Sequence, residues 1–128
     1  MAARNLSEHQ WALEHDTVKL YGRGTGAATD ALTSLKGKGI SLVDQTDTGK
    51  YTITLTDKWA GFLMFKGMVI DPGSPADWEV VVESETVAST KLVKIVVFKD
   101  GTAANLTSDE KLLFEITVCP HSHLPKGY

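Results

Sequence analysis

Residues 50 to 56, Lys50-Tyr51-Thr52-Ile53-Thr54-Leu55-Thr56, alternate one by one between apolar and hydroxyl-bearing side chains. A period of two puts Tyr51, Ile53 and Leu55 on one face of an extended chain and the three threonines on the other, which predicts a strand with one dry and one wet face. Asp47-Thr48-Gly49 before it and Asp57-Lys58 after it read as breaks. The same grammar, short β-branched runs set off by Gly, Asp, Pro and Ser, recurs along most of the chain.

Thr17 to Tyr21 predicts a short strand, Val18 and Leu20 against Lys19 and Tyr21, that stops in a flexible glycine-rich turn, Gly22-Arg23-Gly24-Thr25-Gly26. Ala27 to Lys36 has too weak a period for a regular element and is expected to be loop. After Gly37-Lys38-Gly39, Ile40 to Val43 predicts a strand that leads through the turn region Asp44 to Gly49 into the 50–56 strand as a hairpin. Trp59 to Ile70 differs, with Trp59, Leu63, Phe65 and Val69 on one alternation face and Phe62, Met64, Met68 and Ile70 on the other. It is expected to be a strand buried on both sides, bent or bulged near Gly61 or Gly67, that needs a second cover from the amino-terminal arm or a partner subunit. Beyond the turn at Asp71 to Pro75, Trp78, Val80 and Val82 alternate with Glu79, Val81 and Glu83, and Ser84 to Thr90 is a polar crossing. Lys91 to Lys99 is a dense run with Val93, Ile95 and Val97 inward, and after the Asp100-Gly101 turn and a polar loop, Leu112, Phe114, Ile116 and Val118 alternate with Leu113, Glu115, Thr117 and Cys119.

These runs predict an all-β fold, an antiparallel β-sandwich or a jelly-roll-like small barrel of about seven to eight strands, because the links are mostly too short for helical crossovers. The expected division is an amino-terminal arm over 1–15, a sandwich domain over 16–119 and a carboxy-terminal tail over 120–128, with both terminal segments flexible. Ser7 and Gln10 fit a capping box near Trp11 and Leu13, but that stretch is too short to hold a helix alone. An apolar Trp11 on an arm is expected to pack on this domain or on a neighbour.

Composition changes this picture little. A chain of 128 residues fits one domain with a modest core. With 13 basic and 16 acidic residues the formal charge is −3, spread without blocks, so neither a nucleic-acid nor a membrane partner is expected. Cys119 is the one cysteine, which excludes an intrachain disulfide framework and sits most easily in a reducing interior. Glu8, His9, Glu14, His15 and Asp16 interrupt any apolar core of a secretory signal, and the apolar stretch from Trp59 to Ile70 is too short to span a bilayer, so a soluble protein is expected.

Candidate chemistry is sparse. Gly22 to Gly26 lacks the lysine and hydroxyl residue of a phosphate loop, since Ala27 and Ala28 follow it. Cys119, His121 and His123 bring three soft ligands within five residues, with His9 and His15 in the other arm. The plainer reading is a small residue at a strand end followed by polar tail residues, and neither metal nor cofactor is expected. Glu83 and Glu85 would stand about 7 Å apart on one strand face, which overlaps a glycosidase separation, but a solvated strand face accounts for them equally well. No serine, histidine and acid constellation stands out, so an enzyme is not expected.

Gly37-Lys38-Gly39-Ile40-Ser41, Thr48-Gly49-Lys50-Tyr51-Thr52-Ile53-Thr54-Leu55, the stretch Val96 to Leu106 and Leu113-Phe114-Glu115-Ile116-Thr117-Val118 together resemble a family of small virion structural proteins of tailed bacteriophages. The resemblance covers most of residues 17 to 119 and implies a β-rich decoration, or cement, protein that binds the major capsid protein on the outer head surface after assembly in the host cytoplasm. It also implies a homo-oligomer, a trimer ahead of a dimer. Cys119-Pro120-His121-Ser122-His123 and the Trp11 arm depart from the family pattern. The expected interface residues are therefore Trp11, Leu13, Trp59, Phe62, Met64, Met68, His121 and His123. The alternative reading is a phage tail module or a receptor- or carbohydrate-recognition module, which Trp59, Trp78 or Tyr51 exposed along a shallow groove would favour.

Overall fold

A computed structural model describes residues 17–73 and 75–120. Trp11, Leu13, His121, His123 and both terminal segments lie outside the described residues. The described chain is all-β, with nine strands: β1 (Val18–Thr25), β2 (Thr33–Lys38), β3 (Ile40–Asp47), β4 (Lys50–Leu55), β5 (Gly61–Ile70), β6 (Trp78–Glu85), β7 (Leu92–Lys99), the two-residue β8 (Thr102–Ala103) and β9 (Lys111–Cys119). They form two antiparallel sheets, ordered β2-β1-β9-β5 and β3-β4-β7-β6, with β8 beside β7. The arrangement is consistent with a β-sandwich, and among the described residues no barrel closure joins the two sheets.

The alternation of single strands decides where the core sits. Leu20, Leu112, Phe114, Ile116 and Val118 point inward from the first sheet, and Val43, Tyr51, Ile53, Leu55, Val93, Ile95 and Val97 from the second. Three residues between strands, Leu32, Val87 and Leu106, complete this cluster. Val87 comes from the segment expected to be a polar crossing, and Leu106 from the polar loop. An isolated apolar residue in a loop has no period to announce it.

β3 and β4 pair as the expected hairpin, but β3 runs on to Asp47, so Asp44 to Asp47, expected in the turn, are strand. Gly49 makes the tighter turn at φ +71°, a conformation that L side chains rarely adopt. The glycine-rich turn does not follow the expectation: β1 runs on through Thr25 and pairs from Val18 to Thr25 with Val118 back to Lys111 of β9. Gly22 lies under the Phe114 ring, where an added Cβ would come within 2.5 Å of Cζ. Gly22 and Gly24 are therefore strand positions, and Gly22 leaves room for an aromatic ring. Ala27 to Lys36 was expected to be loop, yet Thr33 onward pairs with β1 as the edge strand β2. A largely exposed edge strand needs no apolar period.

A further correction concerns β5. Its pairing with β9 skips a residue between Phe62 and Met64, so Leu63 bulges. Phe62 then pairs with inward Val118, and Met64 with Thr117. The bulge moves Phe62 off the face that strict alternation assigns it, and Phe62, Phe65 and Val69 pack against the core. The strand is not buried on both sides within the described residues, because Met64 and Met68 are each 56% exposed on the other side.

Candidate functional site

The outer face of the four-stranded sheet collects what the linear sequence disperses. Residues paired across an antiparallel ladder share a face. One row runs Lys38, Tyr21, Glu115, Lys66 and the next runs Lys36, Arg23, Leu113, Met68. Flanking rows add Lys19 and Met64 on one side and Lys111 and Ile70 on the other. The face thus carries six cations, Lys19, Arg23, Lys36, Lys38, Lys66 and Lys111, against the single carboxylate of Glu115. The chain as a whole has formal charge −3. The local basic patch that the even spread of charge argued against is assembled by strand pairing.

A groove of about 510 Å³ crosses all four strands of this face. Side chains of Tyr21, Arg23, Lys36, Lys66, Met68 and Leu113 line it, and its floor is the intervening row Gly37, Gly22, Phe114, Gly67. Within that row Gly22 and Phe114 are buried, Gly67 is half-buried and Gly37 is exposed. A second hollow of about 280 Å³ lies beside it, lined by Arg23, Thr25, Ser34, Lys36 and Lys111. Lys19 pairs with Glu115 at 3.6 Å. Arg23, Lys36, Lys38, Lys66 and Lys111 form no salt bridge among the described residues.

The expected interface residues divide on this geometry. Met64 and Met68 stand on the outer face, and Met68 borders the groove. Phe62 and Trp59 are half-buried and pack against the core. The indole N–H of Trp59 is buried without an acceptor among the described residues. Sequence reasoning missed Tyr21, Arg23, Lys36, Lys66 and Lys111. Reading β1 through its glycines would have exposed the alternation Lys19, Tyr21, Arg23 as a polar and basic face.

Other candidate chemistry does not converge. Tyr51 is 1% exposed. Its hydroxyl oxygen accepts from the Leu106 N–H at 2.8 Å. Burial pushes this phenol's pKa up, the Leu106 hydrogen bond works against that rise, and the nearby Glu110 carboxylate adds to it. Half-buried Trp78 donates its indole N–H to Asp71 at 3.0 Å and carries the Lys99 ammonium 5.3 Å from its ring centroid. Glu83 and Glu85 do not share a face: pairing with β7 skips Glu83, and Glu85 pairs with inward Val93. Glu83 pairs with Lys50 at 3.9 Å, while Glu85 accepts from the Val87 N–H at 3.1 Å. Cys119 is buried, and no group of three or more His, Cys, Asp or Glu side chains among the described residues could hold a metal ion. No helix among them is long and apolar enough to cross a membrane. Comparison with protein families, with curated proteins and with solved structures finds no match to the chain.

Proposed function

We propose that this chain is a noncatalytic decoration, or cement, protein of a bacteriophage head, bound to the major capsid protein on the outer surface of the shell. Two packed sheets act as a rigid sandwich body, and the outer face of the sheet β2-β1-β9-β5 is the surface that binds. That face carries the reading: it combines exposed Met64, Met68 and Ile70 with cations that have no partner among the described residues. Apolar anchors beside fixed charges serve adhesion, and in a repeating shell weak contacts add through effective concentration. A homotrimer would multiply those contacts further. The resemblance to small virion proteins supports the setting, and the face supports the mode.

Carbohydrate recognition would call for aromatic rings along an open groove. Tyr51 is core, Trp59 packs against the core, and Trp78 is engaged by Asp71 and Lys99, so the aromatic residues favour adhesion. The test is cosedimentation of the purified full chain with heads that lack it, prepared from the phage whose genome encodes it. Saturable pelleting at a fixed number of copies per head is the expected result. Absence of pelleting with heads, or pelleting with isolated tails instead, would overturn the proposal.

A further inference from the structure

From the charge and shape of the same face, we infer that its occupant is an acidic polypeptide segment, lying across the four strands with an apolar side chain in the groove and carboxylates on Arg23, Lys36 and Lys111. The inference deepens the proposed function and rests on the reading that this face is the docking surface.

Three observations carry it. Arg23 and Lys36 are directly opposed across the β1–β2 ladder, an arrangement of like charges that destabilises a sheet unless an anion offsets it. Lys111 closes the same hollow, in which the hydroxyl residues Thr25 and Ser34 also lie. A carboxylate placed there would meet three cations and two hydroxyl groups that can donate. Next to this hollow the groove has walls of both kinds, Met68 and Leu113 beside Lys66 and Tyr21. An extended segment alternating acidic and apolar residues matches both hollows, and a partner surface lacking either feature matches only one.

A second copy docking face to face would bring the six cations of one copy against six of the other, which charge repulsion opposes. Single-stranded nucleic acid satisfies the cations, yet its bases need aromatic platforms, and Tyr21 is the one aromatic side chain exposed among the described residues. Exposed Met64, Met68 and Ile70 are partners for other side chains. An anionic bilayer would meet the cations too, but a concave groove across four strands fits a chain segment better than a plane.

The experiment uses the full chain, labelled with ¹⁵N, and a synthetic peptide alternating Leu and Glu. Oligothymidylate and phosphatidylserine vesicles are the competing probes. The expected result is peptide-induced amide shifts confined to Tyr21–Thr25, Ser34–Gly37, Lys66–Met68 and Lys111–Glu115, with affinity falling as salt rises. The double variant Lys36→Glu/Lys111→Glu should weaken the Leu/Glu peptide by about tenfold or more. A Leu/Lys peptide should then bind that variant better than it binds the unaltered chain. Shifts scattered elsewhere, no shifts, an unchanged affinity in a folded variant, or tighter binding of oligothymidylate or vesicles would each overturn the inference. The mapping on the unaltered chain decides the matter even where the variant does not fold. Failure here is distinguishable from failure of the proposed function: heads that retain the charge-reversed chain at full occupancy would remove the acidic segment and keep the decoration role. A chain that binds the peptide but never pellets with heads would do the reverse.

Discussion

Tyr51 shows how one residue ties sequence, packing and stability together. Its place in an alternating strand sends it inward, and its hydroxyl then serves as the acceptor for the backbone N–H of Leu106, 55 positions away. Tyr51→Phe keeps the ring and leaves that N–H unpaired, at an expected cost of about 1–3 kcal/mol read from urea denaturation. Because burial raises the phenol's pKa in the fold, the unfolded chain ionises first as the solution turns alkaline. The contribution is complete below the unfolded value of about 10 and is lost as pH rises through the folded value. The stability difference between the native chain and Tyr51→Phe should therefore be flat at neutral pH and shrink above about pH 10; a difference that grows there would contradict the assignment. Gly22 tests the opposite kind of contact. Gly22→Ala drives a methyl into the Phe114 ring and should cost about 1–3 kcal/mol, most of it recovered in Gly22→Ala/Phe114→Leu. Tyr51 was legible from its period alone; Leu106 and the ring above Gly22 were not, because both depend on partners distant in sequence.

At the scale of elements, a strand can be read from sequence when one of its faces is buried. β4 alternates cleanly, β7 and β9 do so over most of their length, and all three fall where their patterns place them. β2 has no buried face, and its pairing comes from the neighbour β1. In β5 the alternation is legible but its phase is not: one bulged residue, Leu63, exchanges the faces on either side of it. That exchange separates Phe62, which packs on the core, from Met64 and Met68, which do not. Met64→Gln and Met68→Gln should change stability by no more than about 0.5 kcal/mol, whereas Phe62→Ala should cost about 2 kcal/mol or more. Thermal denaturation of the three variants checks the division. Under the proposed function, the two methionine variants should still lower occupancy on heads, which separates a binding role from a structural one.

The whole molecule has properties that no single element holds. Its net charge is weakly negative, yet one sheet face gathers six cations from four strands that span most of the described chain. Composition averages over that arrangement, and only pairing reveals it. The groove follows from the same pairing, since its walls Tyr21, Lys36, Lys66 and Leu113 come onto one face only when β2, β1, β9 and β5 lie side by side. The faces are therefore specialised: the inner faces build the core, and the outer face of the first sheet carries the cations. If this face binds an acidic protein surface, raising salt from low to moderate ionic strength should release the chain from heads without unfolding it. Release that requires denaturant would point to contacts elsewhere. Cryo-electron microscopy of the intact particle tests the central claim most directly. The account predicts density for this chain outside the head shell, with the sheet β2-β1-β9-β5 turned toward the capsid protein and Arg23, Lys36 and Lys111 against acidic residues. Density that turns this face to solvent, or that lies on the tail, would contradict it.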